Sequence, residues 1–328
     1  MRYAILGGGG SFGLHTAKHL LAQTDTEYVT SIGRSPPKPP CFTMGVGDGD
    51  KRYAYTPLHV TYQHAEVLKL LDWSKPDVII NFAAQGEGAT SFTESWRYFE
   101  TNCVGLSRLV EALIGKSWLQ RFIHIGSSEV YGSTASPANE FSVLNPTSPY
   151  AISKSAFDQY LVALAYKHDF PTVIVRPSNC YGEGQQLHRF IPKAFLFGLT
   201  GRKVPLHGGG KAEKSYIHSE DLARAIFLLA REYHNELIWN VGPDDPISIK
   251  GVATMIAQTL SLDPEDLFAM AEDRDHQDAR YWLDSSKIRG LGWRPTIEWH
   301  RGLDRVHHWV RDNLEELQKQ PVDFVMRP

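Results

Sequence analysis

The chain has 328 residues, with 34 lysines and arginines against 37 aspartates and glutamates and a formal net charge of −3. That near-balance carries no footprint for nucleic acid or an anionic membrane, and no apolar run approaches the ~20 residues of a membrane span. The length suits one large or two smaller domains with an ample core. Cys41, Cys103 and Cys180 are few and far apart, which fits a reduced cytoplasmic protein and not a disulfide framework.

The N-terminal "MRYAILGGGG" moves straight from an apolar strand into a glycine turn and lacks the pattern of a signal peptide. Short apolar runs then alternate with helical patterns. "RYAIL" is a strand and "FGLHTAKHLLAQ" a helix; "EYVTSIG" is a second strand and "PDVIINFAA" a third. A long helix follows around "YFETNCVGLSRLVEALIG", then strand "RFIHIGS", helix "SPYAISKSAFDQYLVALAYKH" and strand "PTVIVRPSN". This alternation, with near-continuous apolar strands, predicts an α/β fold: a doubly wound parallel sheet covered on both faces. After about Gly182 the pattern becomes mixed, through "RFIPKAFLFGLTGRK", "HGGGK", "IHSEDLARAIFLLARE" and "ELIWNVG". Residues 1–182, with about 214–242, are expected to form the sheet domain. Residues of about 183–213 and 243–328 are expected to form a smaller mixed C-terminal cap. His307 and His308 fall in a late helical pattern and read as helix surface; no zinc-ligand spacing occurs.

Gly7, Gly10 and Gly13 stand at G-x-x-G-x-x-G spacing between the first strand and first helix. Glycines there allow a tight turn and close approach of a pyrophosphate to the backbone, with the helix N–H groups facing the anion. An acidic residue commonly ends the second strand to bind the ribose 2′-hydroxyl. Here Gly33 occupies that place, followed by Arg34 and Ser35. The forked arginine suits a 2′-phosphate, favouring NADP over NAD. Tyr150 and Lys154 lie four apart on a predicted helix, on one face. A neighbouring ammonium favours the phenolate, so the pair suits proton abstraction from a sugar hydroxyl as hydride leaves the same carbon.

Together, "GGGGSFG", "NFAAQ", "ETNCVG", "GSSEVYG", "SPYAISKSAFD", "RPSNCYG", "IHSEDLARAI" and "DARYWLDSSKIRGLGWRP" make the chain resemble the extended short-chain dehydrogenase/reductases of the NAD-dependent epimerase/dehydratase family. Within that family it looks like the nucleotide-sugar 4,6-dehydratases of the dTDP-glucose and GDP-mannose kinds. The resemblance implies a Rossmann sheet and a tightly bound NADP or NAD. It places Gly7, Gly10, Phe12, Gly13, Arg34, Ser35, Ala83, Ala84, Asn102, Tyr150 and Lys154 around the cofactor. It also implies a nucleotide-diphosphate-sugar substrate held by Gln85, Glu87, Asn179, Lys214 and Arg280. Ser127 matches the hydroxyl that contacts the sugar 4-hydroxyl, and Glu129 the carboxylate that removes the C5 proton. Ser128 replaces the aspartate of the dTDP-glucose enzymes, Gly86, Glu87 and Gly88 replace pocket residues, and Lys214 replaces an arginine. A decarboxylase or 4-epimerase of the same family and a non-catalytic cofactor-binding sensor are the alternatives. The resemblance further implies a homodimer through the helices near 97–115 and 150–168.

Overall fold

Seven strands align in parallel to form the central sheet, in a computed structural model that describes residues 1–88, 90–232, 235–272 and 278–326. The strands, in chain order, are β1 (Arg2–Leu6), β2 (Tyr28–Gly33), β3 (Tyr53–Pro57), β4 (Val78–Asn81), β5 (Arg121–Ile125) and β6 (Thr172–Pro177). Then follow β7 (Asn179–Tyr181), β8 (Val204–His207), β9 (Glu213–Lys214), β10 (Tyr216–His218), β11 (Ile238–Val241), β12 (Ile247–Ser248), β13 (Phe268–Ala271) and β14 (Arg280–Tyr281). The sheet order is β11-β6-β5-β4-β1-β2-β3. The order reverses at β1 and β4, and this crevice beyond the strand ends is where such sheets bind ligands.

Alternate side chains explain the two covered faces. Tyr3 and Ile5 of β1 face one way, into a cluster with Leu14, Leu20, Leu222 and Ile226. Ala4 and Leu6 face the other way, against Val67, Leu71, Leu109 and Phe157. Each fully buried aliphatic side chain of this kind stabilises the fold by about 1.5–3 kcal/mol. A separate apolar cluster, with Phe195, Ile256, Leu303 and Val306, joins the helices Phe190–Leu199, Ile249–Thr259 and Trp299–Asp312. Three small sheets lie outside the main one: β10 with β7, β13 with β8, and β12-β9-β14.

The fold differs from the sequence reading in two places. "YAYTP" forms β3 at the sheet edge, so "PDVIINFAA" supplies the fourth strand, not the third. An edge strand needs no continuous apolar run, and this one is only partly buried and ends in proline. The long helix expected from Tyr98 to Gly115 is interrupted: Ser95–Phe99 and Leu106–Leu113 are α-helical, but Glu100–Gly105 is a π-helical turn. That turn directs Asn102 inward, where it is fully buried. Such bulges occur often at functional sites.

Candidate functional site

The glycine loop makes the first wall of the site. Gly7 has φ +77°, and a Cβ there would lie 2.7 Å from the Ala83 nitrogen. A Cβ on Gly13 would lie 2.7 Å from the Gly8 Cα. Both positions therefore require glycine. Gly10 caps the helix Ser11–Leu21 without a side-chain hydrogen bond, leaving the first-turn N–H groups to meet an anion. Among the described residues, the Ser11 hydroxyl is buried without a hydrogen-bond partner. An open helix N-terminus, a cradle that a Cβ would fill and an orphaned hydroxyl fit the pyrophosphate of a dinucleotide. Arg34 is exposed just beyond β2, and Ser35 accepts a hydrogen bond at its carbonyl from the Tyr55 hydroxyl at 2.6 Å.

The second wall descends from β4. The Asn81 Oδ1 accepts from the Ala83 N–H at 3.1 Å, fixing the "NFAAQ" turn that carries Ala83 and Ala84. The Asn102 Oδ1 accepts from the Gln85 N–H at 2.8 Å, and its amide donates to the Gln85 carbonyl at 3.1 Å and to the Ser153 Oγ at 2.9 Å. Fully buried and committed to these three bonds, Asn102 braces the loop against the helix Pro149–His168 and does not face the cleft.

That helix starts cleanly. Ser148 is its N-cap, accepting from the Ala151 N–H at 3.1 Å, and Pro149 occupies the first turn. Tyr150 and Lys154 follow on one face, but they take different partners. Burial and the nearby Glu129 push the Tyr150 phenol above its ordinary value, while a hydrogen bond to Ser127 and the Arg189 charge pull it down. Lys154 turns inward: its Nζ donates to the Ile125 carbonyl at 2.6 Å and lies 3.2 Å from the His124 Nε2. Burial pulls its pKa down to about 8, opposed by Asp158.

Ser127, Ser128 and Glu129 arrive together because β5 ends at Ile125 and the chain passes through Gly126 and Ser127 into a 3-10 turn, Ser128–Tyr131. The Ser127 Oγ accepts from the Glu129 N–H at 3.2 Å and caps that turn. A Cβ on Gly88 would lie 3.0 Å from the Glu129 Oε2 and 3.8 Å from the Tyr150 Cδ1. The Glu129 carboxylate and the edge of the Tyr150 ring thus flank the space that Gly88 leaves open, and the two groups are close enough for the carboxylate to raise the phenol's pKa. Burial pushes the Glu129 pKa up, and Lys214 and Arg189 hold it down. Lys214 packs its Nζ 5.3 Å from the Tyr281 ring centre, and its charge favours the ionised form of Glu129.

Arg280 pairs with Glu213 across the β14–β9 ladder, at the edge of a surface cavity of about 480 Å³ that Ser133, Thr134 and Lys211 also line. Asn179 opens β7, its N–H donating to the Ser215 carbonyl at 3.0 Å. Glu87 is not free to face a sugar alone: its Oε2 lies 3.0 Å from the Arg189 Nη1 and 3.5 Å from the His188 Nε2. The Arg189 Nη2 also donates to the Gly86 carbonyl at 2.8 Å.

Sequence reasoning missed Arg189, and a signal existed. A cation at the N-terminus of a helix opposes the helix dipole and needs an anion to hold it; here Arg189 caps Phe190–Leu199 and Glu87 is that anion. It also missed the buried network behind Lys154. The Arg176 Nε donates to the Asp158 Oδ2 at 2.8 Å and its Nη1 to the Tyr131 hydroxyl at 2.9 Å. Tyr131 in turn donates to the Asn240 Oδ1 at 2.8 Å. The His124 Nδ1 meets the Asn81 amide nitrogen at 3.0 Å, so the imidazole links β4 to Lys154. The signal was a histidine and an arginine inside the apolar runs of β5 and β6, because buried charges and polar groups need partners.

A profile of the NAD dependent epimerase/dehydratase family matches residues 3–242. The chain is 32% identical over 250 residues to the Arabidopsis thaliana trifunctional UDP-glucose 4,6-dehydratase/UDP-4-keto-6-deoxy-D-glucose 3,5-epimerase/UDP-4-keto-L-rhamnose-reductase RHM3, covering 75% of this chain and 38% of that protein. The chain thus spans well under half the length of that trifunctional relative. It is 30% identical over 251 residues to the Homo sapiens dTDP-D-glucose 4,6-dehydratase, covering 75% of this chain and 71% of that one. The structure of DesIV, a dTDP-glucose 4,6-dehydratase from Streptomyces venezuelae solved with NAD bound, aligns with a TM-score of 0.88 at 28% identity, over 96% of this chain and 98% of that chain. With most of its length matched by one family profile, this chain belongs to the NAD dependent epimerase/dehydratase family.

Proposed function

We propose that the protein is an NAD(P)-dependent nucleotide-sugar 4,6-dehydratase, which oxidises C4, eliminates water across C5–C6 and returns hydride to C6. The observation that carries this reading is the Glu129 carboxylate flanking the same space as the Tyr150 ring. A simple 4-epimerase needs the phenol but has no task for a second base. The matches to dTDP-glucose 4,6-dehydratases support the same reading.

When bound, the nicotinamide supplies the acceptor that holds the C4 hydride and later releases it. The chain's own residues manage the protons. Tyr150, hydrogen-bonded to Ser127, takes the proton from the 4-hydroxyl. The 4-ketone acidifies the C5–H, and Glu129 removes that proton. The C6 hydroxyl leaves as water, protonated by Glu129, which now carries the C5 proton, or by Ser128 through a water; as hydride returns to C6, a proton of solvent origin is delivered to C5 through Glu129. Each such positioned transfer contributes about 100- to 10,000-fold. Lys154, one helical turn beyond Tyr150, is held between the Ile125 carbonyl and His124 and ties the helix that carries Tyr150 to the end of β5. Gly33, Arg34 and Ser35 support NADP alongside NAD.

Replacing Glu129 by glutamine tests the assignment. The variant should still oxidise C4, seen as reduced nicotinamide absorbance that persists, and should release no dehydrated product. Unimpaired dehydration would remove Glu129 from the mechanism; a protein that never reduces its cofactor with any nucleotide sugar would point to the sensor reading. One observation favours a second enzyme reading: Arg189 and Lys214 near Glu129 would suit a uronic acid awaiting decarboxylation. Against it, Arg189 is already paired with Glu87.

A homodimer belongs to the same proposal. Trp96, Phe99, Val104, Ile152 and Tyr166 are exposed on the helices expected to pair. Sedimentation at micromolar concentration should find a dimer, and a monomer would refute it.

A further inference from the structure

We propose that Tyr55, at the partly buried edge strand β3, replaces the missing acidic residue as the side chain that reads the adenosine ribose of the dinucleotide, and that Gly33 is glycine to make room for it. The inference rests on the dinucleotide-binding reading of the glycine loop and not on the sugar chemistry.

β2 and β3 run parallel with Ser31 opposite Tyr55 and Gly33 opposite Pro57. From that register the Tyr55 ring reaches over the carboxyl end of β2. A Cβ on Gly33 would lie 2.6 Å from the Tyr55 hydroxyl, and one on Gly9, in the glycine loop, would lie 2.8 Å from it. Gly33 does not have positive φ, so backbone conformation does not demand glycine there. A side chain at Gly33 would meet the phenol first, with the Gly9 backbone nitrogen next at 3.3 Å. The end of strand two is thus not a vacancy left by a lost carboxylate; it is filled from the neighbouring strand.

The chemistry of the replacement matters. A carboxylate only accepts hydrogen bonds and repels a phosphate. The Tyr55 hydroxyl donates to the Ser35 carbonyl at 2.6 Å, which leaves its lone pairs to accept from a ribose 2′-hydroxyl. Burial pushes its pKa up to about 12, so it stays neutral and repels no 2′-phosphate. Arg34, two residues beyond Ile32 of β2, supplies the cation for that phosphate. The pair therefore admits both cofactor forms: Tyr55 serves NAD, and Arg34 serves NADP.

The test is competitive loading. The protein is equilibrated with equal concentrations of NAD and NADP, and the bound forms are released and counted by mass spectrometry. Melting temperature with each cofactor is followed in parallel. Wild type should retain both. Tyr55→Phe, which keeps the ring and removes only the hydroxyl, should shift the bound ratio toward NADP by about three- to tenfold. Gly33→Asp alone should weaken both cofactors, since its Cβ meets the phenol. Gly33→Asp combined with Tyr55→Ala should recover NAD and shift the ratio toward it by about tenfold or more, a non-additive pair. An unchanged ratio in Tyr55→Phe, or a Gly33→Asp variant that gains NAD preference with Tyr55 still in place, would overturn the proposal while leaving the dinucleotide reading intact. If neither cofactor is retained by wild type or raises its melting temperature, the dinucleotide reading itself fails.

Discussion

Replacing Lys154 by methionine separates the energetic consequence of its burial from every packing change the substitution brings. Lys154 is 3% exposed, and burial lowers its pKa from 10.5 to about 8. In the unfolded chain the ammonium keeps its proton to the higher value, so between the two the unfolded state binds more protons. Stability must then rise with pH across that window and be lost as pH falls toward 8. The full shift is worth about 3 kcal/mol, most of it between about pH 7 and about pH 10. Methionine has a similar length and no titrating group. Losing the bonds to the Ile125 carbonyl and His124 costs about 1–3 kcal/mol at any pH, so the sign of the change at a single pH decides nothing. The difference between wild type and variant across pH does. Urea unfolding at about pH 7 and about pH 10 should find that wild type gains about 2.5 kcal/mol relative to Lys154→Met. Parallel pH profiles for the two proteins would refute the argument and would mean that the ammonium is not desolvated in the folded state.

Four further outcomes follow from the site. Tyr150→Phe should reduce turnover by about 100- to 10,000-fold with little change in melting temperature, because only the hydroxyl is removed. Gly88→Ala puts a methyl 3.0 Å from the Glu129 Oε2; steady-state kinetics should show kcat falling more than stability. Because burial raises the Glu129 pKa and the base must be ionised, activity should fall on the acid side at a pH above the ordinary glutamate value; a wild-type pH–rate profile that stays flat down to that ordinary value would refute it. Asp158→Asn leaves the Arg176 guanidinium, 1% exposed, without its ion partner; chemical denaturation should show a loss of about 3–5 kcal/mol.

The parallel sheet was legible because its central strands are buried on both faces and read as apolar runs, as "VIIN" in β4 and "TVIVRP" in β6 do. Tyr53–Pro57 was not legible, because an edge strand half open to solvent carries no such run. The cost of that omission reached the site: Tyr55 stands over Gly33, and no reading of "TSIGRS" alone could place it there. Gly7, Ser127, Glu129 and Tyr150 were legible because turn, strand end and helix N-terminus each leave local marks. Glu87 illustrates the opposite case. Its neighbour Arg189 is 102 positions away along the chain, so the ion pair that neutralises it forms only when two distant segments fold together. Asn102 was expected at the cofactor, but the π-helical turn rotates it into the interior, where it serves the loop carrying Gln85.

The most direct test of the central claim is a mass spectrum of the reaction products from a panel of nucleotide sugars, run in deuterium oxide with the cofactor retained. The expected product is one nucleotide hexose that has lost water and carries one solvent deuterium at C5. An isomer of unchanged mass, or loss of carbon dioxide from a uronic acid, would contradict it and leave Glu129 without the task assigned to it.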